Sequence, residues 1–139
     1  MPEDRNIYKP IKAHLTEVIE ESPLIKTFVL IPETDFKFET GQFIELSVDG
    51  IGEAPFTPSS SPLVTDRLEV TVMKTGYVTE HMHNLKPGAF MGIRGPYGRG
   101  YPVEKFYGKV VIILGGGCGL APIRSLLYAL ENIKDKLEK

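Results

Sequence analysis

The sequence lacks the features that mark disulfide-bonded, metal-bound and membrane-spanning proteins. Its single cysteine, Cys118, excludes an intrachain disulfide and any all-cysteine metal or iron–sulfur site within one chain. No apolar run approaches the roughly 20 residues that a membrane-spanning helix needs. Residues 1–5 are polar and lack the core of a signal peptide. These absences predict a soluble cytoplasmic protein that does not associate with a membrane.

An excess of charge of one sign is also lacking. The 16 Lys and Arg residues are scattered among 18 acidic residues, and the formal net charge is −2. A nucleic-acid-binding domain usually carries a basic face, so no nucleic-acid partner is expected. The 139 residues, 42% of them hydrophobic, are enough for one folded domain with a hydrophobic core.

Short β-rich runs separated by glycine and proline fill the first hundred residues. They lie at 13–19, 25–31, 44–48, 68–72 and 90–94, and apolar and polar positions alternate in several of them. Residues 35–39 are predicted to be a hairpin connection. One short helix is predicted over residues 79–85, with Thr79 as its N-cap. This spacing indicates an antiparallel barrel or sandwich.

The pattern changes after Gly108. Residues 110–114 are continuously apolar, which predicts a strand buried on both faces of a parallel sheet. A glycine turn and an amphipathic helix with Pro122 in its first turn follow. The predicted apolar stripe of this helix is Ile123, Leu126, Leu127, Leu130, Ile133 and Leu137. Strand, turn and helix form the first half of a nucleotide-binding βαβ unit, so the chain is expected to be the N-terminal part of a longer protein.

A parallel strand needs a neighbouring strand. We therefore expect the edge at residues 110–114 and the helix stripe to be covered by another chain. A second copy of this chain, swapped to form a homo-oligomer, is one candidate.

The glycine turn is a candidate phosphate site. Gly115, Gly116, Gly117 and Gly119 lack side chains that would block a ligand, and backbone N–H groups and a helix N-terminus converge there. The alternative is a tight connection without a ligand. In nucleotide-binding βαβ units, an acidic residue about 20 positions after the turn hydrogen-bonds the ribose of NAD. That position would fall at or beyond the last residue, so the sequence does not distinguish NAD from NADP.

Four further stretches precede the glycine turn. They are Gly41-Gln42-Phe43, residues 52–62, Gly76-Tyr77-Val78-Thr79 and Gly95-Pro96-Tyr97-Gly98. In this order they resemble the ferredoxin–NADP reductase superfamily, and within it the gamma (flavin) subunits of sulfhydrogenases and the B subunit of anaerobic sulfite reductase. The resemblance spans nearly the whole chain.

The resemblance implies a flavin site at residues 54–60. The family's Arg-any-Tyr-Ser/Thr motif falls on Ala54, Pro55, Phe56 and Thr57, which puts Thr57 beside the flavin N5 as the candidate catalytic residue. Phe56 takes the place of the aromatic residue packed near the flavin. Ala54 replaces the arginine, so one charge-assisted contact to the pyrophosphate is missing.

Further flavin contacts are implied after the first motif and after the next strand. Ser59 and Ser60 would meet the isoalloxazine edge, and Met73 and Lys74 would lie at its pyrimidine end. The family's second motif falls on Gly76, Tyr77, Val78 and Thr79, where a helix start would bind the pyrophosphate. The alternative there is an ordinary capped helix.

The expected fold is mainly β, a six-stranded antiparallel Greek-key flavin-binding barrel with one short helix in residues 1–107. One strand and one helix of a truncated nucleotide-binding α/β domain occupy residues 108–139. The resemblance implies FAD as cofactor and NAD(P)H as reductant in the intact protein, with electrons passing to an iron–sulfur subunit or ferredoxin. The chain alone is expected to bind FAD weakly to moderately and to lack useful NAD(P)H oxidation.

Two rival functions remain open, a non-catalytic barrel that docks partner subunits without a cofactor and an oligonucleotide-binding barrel. The missing arginine favours the first, and the acidic balance disfavours the second. No metal site is expected. His81 and His83 lie two apart on a helix and point in different directions, so they are interpreted as surface histidines.

Overall fold

Six strands and one short helix form the first hundred residues of the computed structural model, which describes residues 6–138. The strands are β1 (Ile11–Ser22), β2 (Ile25–Pro32), β3 (Phe43–Val48), β4 (Gly52–Phe56), β5 (Leu68–Met73) and β6 (Phe90–Tyr97), and α1 (Tyr77–His83) lies between β5 and β6. The helix α2 (Leu120–Asn132) follows. Short 3₁₀ turns occur at Val103–Phe106, Gly117–Gly119 and Lys134–Lys136. Within residues 6–138, no helix is both long and apolar enough to cross a membrane.

All six strands belong to one antiparallel sheet, in the order β4-β3-β6-β1-β2-β5. The chain leaves β2, crosses to β3 and later returns through β6, which is a Greek-key arrangement. β4 and β5 are the two edges, and no ladder joins them in the described residues. The mainly β, six-stranded prediction is confirmed, but the sheet is not closed as the predicted barrel would be.

Alternating apolar residues explain which face of the sheet is buried. Ile44 and Leu46 on β3, and Leu68, Val70 and Val72 on β5, are essentially inaccessible to solvent. They pack in the core against residues of other strands, such as Phe28 of β2 and Ile93 of β6, and against Met82 of α1. The period-2 pattern in the sequence therefore identified the inner face correctly.

Two parts of the sheet region differ from the predictions. Residues 35–39 do not form a hairpin connection, because β2 pairs with β1 and β5 whereas β3 pairs with β4 and β6. Phe36 and Phe38 of this connection are buried in the core. No strand was predicted at β4, where Pro55 breaks the usual pattern. Proline is tolerated in β4 because it is an edge strand.

The predicted strand at residues 110–114 is wrong for the described structure. No ladder includes these residues, and Val110, Ile112 and Leu114 are exposed to 62%, 80% and 87%. A strand exists only when its backbone groups pair with a neighbour, and residues 6–138 offer this segment none. The homo-oligomer that was expected to pair with it stays a hypothesis.

The predicted helix after the glycine turn is confirmed as α2, but its apolar stripe is shorter than expected. Leu126 and Leu130 are buried within the chain itself, so they do not need a second chain to cover them. Leu127 remains exposed, and Leu137 lies beyond the end of the helix. The end of this segment folds back, since the Gly108 N–H donates to the Lys136 carbonyl (2.8 Å).

Candidate functional site

The two open edges of the sheet meet α1 at one place. β4 contacts both β5 and α1. A Cβ placed on Gly52 of β4 would lie 3.3 Å from Cγ2 of Val78 in α1. The fold therefore brings β4, β5 and the start of α1 together, and the two predicted flavin motifs lie in and just after β4 and at the start of α1.

The first motif lies along β4 and continues past its end. Ala54 pairs with Leu46 of β3, Pro55 with Glu45, and Phe56 with Ile44. Phe56 packs partly against the core, which holds the end of the strand in place. Thr57 follows directly and is half-buried, and its hydroxyl makes no hydrogen bond within residues 6–138. That hydroxyl is therefore available to a ligand.

Ser59 and Ser60 are buried and fastened to β5. The Ser59 N–H donates to the Glu69 carbonyl (2.8 Å), and its hydroxyl lies 3.3 Å from the same oxygen and 3.2 Å from the Thr71 hydroxyl. The Ser60 hydroxyl accepts from the Glu69 N–H (3.0 Å). These contacts attach the segment after Thr57 to β5.

The end of β5 presents an apolar surface beside this segment. Met73 is its last residue and is 38% exposed. The Lys74 N–H donates to the Leu24 carbonyl (2.8 Å), so this turn is anchored to the start of β2. Tyr77, the first residue of α1, is 64% exposed. The large side chains of Met73, at the end of β5, and of Tyr77, at the start of α1, are thus exposed to solvent.

Thr79 organises the start of α1, but not as the N-cap that the sequence predicted. Gly76 is the N-cap and has no side chain, so only the reverse half of a capping box is possible. The Thr79 hydroxyl accepts from the N–H groups of Thr75 and Gly76 and donates to the Gly76 carbonyl, each at 2.9 Å. Thr79 therefore shapes the turn. The space beside Gly76 is empty, since no atom lies within 4 Å of where a Cβ would be.

The two helix histidines differ from each other, contrary to the prediction that both are surface residues. Nε2 of His83 lies 2.9 Å from the Val72 carbonyl, and the ring packs edge-on against Phe28 in the interior. Only His81 is on the outside, where it contacts Tyr77. His83 is thus a structural residue that ties α1 to β5.

The glycine turn lies against β5 and is mostly open. Gly117 has a φ of +56°, a conformation that favours glycine, and starts the 3₁₀ turn that leads into α2. No atom lies within 4 Å of where a Cβ would stand on Gly116, Gly117 or Gly119. Gly115 differs, because its Cβ would be 3.0 Å from Cδ1 of Ile123. Three of the four predicted glycines therefore leave room for a ligand, and the fourth permits close packing.

A cleft of about 190 Å³ separates the glycine turn from the sheet. Its walls include Thr71 and Ile25 on the sheet side and Gly117, Cys118 and Leu120 on the other. Thr71 and Met73 lie on the same face of β5, since they are two residues apart on a strand. The glycine turn and the predicted flavin contacts on β5 thus belong to one side of the molecule.

Charged residues that no sequence motif indicated lie around this region. The carboxylate of Glu69 is buried and pairs with Arg67 and with Arg124 of α2. Glu21 lies at a bulge of β1 and accepts a hydrogen bond from the Thr27 hydroxyl (2.7 Å), which in turn lies 2.8 Å from that of Thr71. Glu69 and Arg124 are 55 residues apart, so no local pattern could have paired them.

One further ion pair joins β4 to β6 on the outer face of the sheet. Nε of Arg94 lies 3.0 Å from Oε2 of Glu53, and a second contact of 2.5 Å makes the pair bidentate. This hydrogen bonding lowers the pKa of Glu53 below its usual value. The pair braces the strand that carries the first flavin motif.

The residues present fit a bound flavin, with one contact missing. Exposed apolar side chains supply surface for a ring, and the free hydroxyl of Thr57 and the first N–H groups of α1 supply donors for the polar atoms of a ligand. No positive side chain stands at position 54, where Ala54 is half-buried. The donor set therefore relies on backbone and hydroxyl groups.

A family model described as "Oxidoreductase FAD-binding domain" matches residues 12–101. The chain belongs to this family. The matched range contains both predicted flavin motifs, from Ala54 to Thr79, and the predicted cofactor, FAD, is confirmed at the level of the family.

Curated relatives include the sulfhydrogenase gamma subunits that the motifs indicated. The chain is 38% identical to the sulfhydrogenase 1 subunit gamma of Pyrococcus furiosus over 141 residues, which cover 95% of this chain and 47% of that protein. It is 41% identical to a probable dihydroorotate dehydrogenase B (NAD(+)), electron transfer subunit, of Methanocaldococcus jannaschii, over 83% of this chain and 40% of that protein. The chain thus spans about half the length of the curated relatives it matches, or less.

Solved structures confirm the fold. The ferredoxin–NADP+ reductase of Plasmodium falciparum superposes with a TM-score of 0.75 at 19% identity, over 93% of this chain and 55% of that one. The fold implied by the resemblance to the ferredoxin–NADP reductase superfamily is therefore confirmed, and the membership of the chain in an FAD-binding oxidoreductase family agrees with it.

Proposed function

We propose that this chain holds FAD in an oxidoreductase subunit that carries electrons between NAD(P)H and an iron–sulfur partner. The observation that carries the proposal is the contact of β4, which carries the first predicted flavin motif, with α1, which carries the second, inside the range matched by the FAD-binding family. The names of the relatives add support, because one is a hydrogenase subunit and the other an electron transfer subunit of an NAD-linked enzyme.

The flavin-facing residues are proposed at the end of β4 and the end of β5. Thr57 would present its free hydroxyl to the flavin N5, and the segment of Ser59 and Ser60 would form the border along the ring. Met73 and Lys74 would contact the pyrimidine end, with the Met73 side chain as apolar surface. When bound, FAD would supply hydride acceptance and single-electron transfer, chemistry that no side chain of the protein provides.

The pyrophosphate is proposed to lie at the start of α1. Gly76 has no side chain to cover the start of the helix, Tyr77 and Val78 are the first residues of the helix, and the Thr79 hydroxyl holds this turn in shape by binding the Gly76 N–H. The first N–H groups of a helix have no acceptor in the helix itself, so they can donate to phosphate oxygens. Ala54 adds no charge, and Pro55 and Phe56 contribute backbone and packing only. Affinity is therefore expected to be moderate.

Residues 108–139 are proposed as the first part of the NAD(P)-binding domain, and residues 1–107 as the FAD-binding domain. The family match that ends at residue 101 supports this division. Gly116, Gly117 and Gly119 would hold a phosphate group of NAD(P)H, with Gly115 packed behind them. The electron partner is proposed to be an iron–sulfur subunit or ferredoxin. A cytoplasmic location stays a prediction.

The test is FAD retention by the purified chain. Protein incubated with excess FAD and desalted is expected to keep a visible flavin absorption spectrum. Replacing both Thr57 and Thr79 by alanine is expected to raise the dissociation constant at least tenfold, because Thr57 would lose a hydrogen bond of about 1 kcal/mol to the flavin and the turn that Thr79 holds at the phosphate site would lose its shape.

Thr34→Ala is the matched control, since Thr34 is an exposed threonine away from both motifs. Its FAD retention should equal that of the unmodified chain. A colourless chain that keeps no FAD would contradict the proposal for this chain and favour the cofactor-free docking module.

A further inference from the structure

Glu69 is connected through its backbone to the segment that would border the flavin. Its carbonyl accepts from the Ser59 N–H at 2.8 Å and lies 3.3 Å from the Ser59 hydroxyl. Its N–H donates to the Ser60 hydroxyl at 3.0 Å. Both serines therefore follow any movement of this one residue of β5.

The side chain of Glu69 points toward a different part of the chain. Its carboxylate is buried, with a side-chain exposure of 9%, and its two oxygens pair separately with Arg67 and Arg124. A buried carboxylate must be paired to remain charged at low cost, so these contacts hold the side chain in place. Glu69 thus has one set of contacts to Ser59 and Ser60 and another to α2.

Arg124 connects this carboxylate to the glycine turn. It lies in the second turn of α2 and lines the cleft that Gly117, Cys118 and Leu120 also line. It lines a second cleft, of about 290 Å³, together with Ser60 and Ser61. Arg124 is therefore placed between the predicted flavin segment and the predicted nucleotide segment.

The two arginines are not equivalent. Arg67 is 54% exposed and lies two residues from Glu69, so its ion pair is local and joins no second element of the fold. Arg124 comes from 55 residues away, and the pair it forms connects β5 with α2. Arg67 is for that reason a matched control for Arg124, since both pair with the same carboxylate.

We propose that Glu69 is a positioning residue that couples the flavin site to the glycine turn through its ion pair with Arg124. The proposal rests on the proposed function. FAD bound at Thr57 orders the segment that continues into the buried Ser59 and Ser60, these serines fix Glu69, and Glu69 in turn restrains Arg124, the start of α2 and the turn before it. Coupling of this kind needs no large movement, because ordering one segment reduces the cost of ordering the other.

The experiment is amide hydrogen exchange on the whole chain with and without FAD, together with FAD titration. In the unmodified chain, FAD is expected to slow exchange at residues 117–123. In Arg124→Met this slowing is expected to disappear. Because coupling between two sites is reciprocal, the affinity of Arg124→Met for FAD should also fall. The expected factor, on the order of fivefold, is the one by which the FAD-induced protection of residues 117–123 falls.

Two further variants make the result specific. Arg67→Met should keep the slowing of exchange at residues 117–123, and Arg124→Lys should restore part of it, because lysine keeps the charge without the planar guanidinium. Exchange of the sheet amides in β2 and β5 checks that each variant is folded. Equal loss in Arg67→Met and Arg124→Met would overturn the coupling, as would FAD-induced slowing that persists in Arg124→Met.

The outcomes separate the two proposals. A chain that binds FAD but shows no slowing at residues 117–123 overturns the coupling and leaves the proposed function intact. A chain that binds no FAD contradicts the proposed function, and the coupling falls with it.

Discussion

The sheet region and the segment after Gly108 are both rich in apolar residues, yet only the first buries them thoroughly. Every residue of the main core cluster lies between Ala13 and Ile93. In residues 110–114, by contrast, three apolar side chains are largely exposed. α2 lies between these extremes, because it buries Leu126 and Leu130 and leaves Leu127 in solvent.

The difference shows how antiparallel and parallel strands depend on their surroundings. An antiparallel strand finds its partners in chain segments that are nearby or arrive by a short crossing, and the sheet here is complete by residue 97. A strand of a parallel sheet requires a crossover and a second strand before it can pair. The same apolar composition therefore produces a buried strand in one region and an exposed segment in the other.

The largest expected effect compares one residue type in the two regions. Ile93 of β6 is fully buried and Ile112 is 80% exposed. Ile93→Ala is expected to lower the free energy of unfolding by about 2–5 kcal/mol because it leaves a cavity in the core, whereas Ile112→Ala should change it by less than about 0.5 kcal/mol. Urea denaturation followed by circular dichroism measures both. A large loss in Ile112→Ala would show that residues 110–114 are buried in solution.

The second prediction concerns the glycine turn. Gly117 has a φ of +56°, and Gly116 has a φ of −135°, with open space around both. Gly117→Ala should destabilise the turn by about 1–2 kcal/mol, because a Cβ is unfavourable in the left-handed region. Amide exchange at residues 117–123 reports this local change. Gly116→Ala is the control and should leave exchange nearly unchanged; equal effects in the two variants would mean that backbone conformation is not what matters there.

The third prediction tests how the start of α1 is built. Thr79→Ala removes the hydroxyl that binds the N–H groups of Thr75 and Gly76 and is expected to cost about 1 kcal/mol. Thr79→Ser keeps the hydroxyl and should retain most of that stability. Thermal unfolding measures the difference. If serine and alanine behave alike, the methyl group rather than the hydroxyl supports the turn.

The smallest expected effect is the pH dependence of the pair between Glu53 and Arg94. The hydrogen bond from Arg94 lowers the pKa of Glu53 from its usual value of 4.5. A carboxylate with a lowered pKa stabilises the folded protein above its usual pKa, and this contribution disappears as the pH falls through the lowered value. The difference in urea midpoint between the unmodified chain and Glu53→Gln should therefore be present at neutral pH and vanish in acid.

Glu33→Gln is the control for that measurement, because Glu33 is exposed and forms no ion pair within residues 6–138. A difference for Glu53→Gln that grows as the pH falls would contradict the assigned direction of the pKa shift.

Local patterns were sufficient where one strand face or one motif carried the information. The alternation at Ile44 and Leu46 identified the buried face of β3, and contiguous motifs such as Ala54 to Thr57 were enough to indicate the family, whereas the flavin contacts assigned to those residues stay a prediction. The position of α1 was approximately right, but its cap was not. Gly76 has no side chain to act as a cap, and Thr79 reaches back from inside the helix instead.

The sequence by itself determined five of the six strands and their order along the chain, the presence of α2 and the family, because these follow from short-range periodicity and from contiguous residues. Only the tertiary structure decided that the sheet stays open between β4 and β5, that residues 110–114 have no partner within residues 6–138, and that Glu69 meets Arg124. These features depend on contacts between residues far apart in the chain, and no local pattern encodes which distant backbone or charge will be within reach.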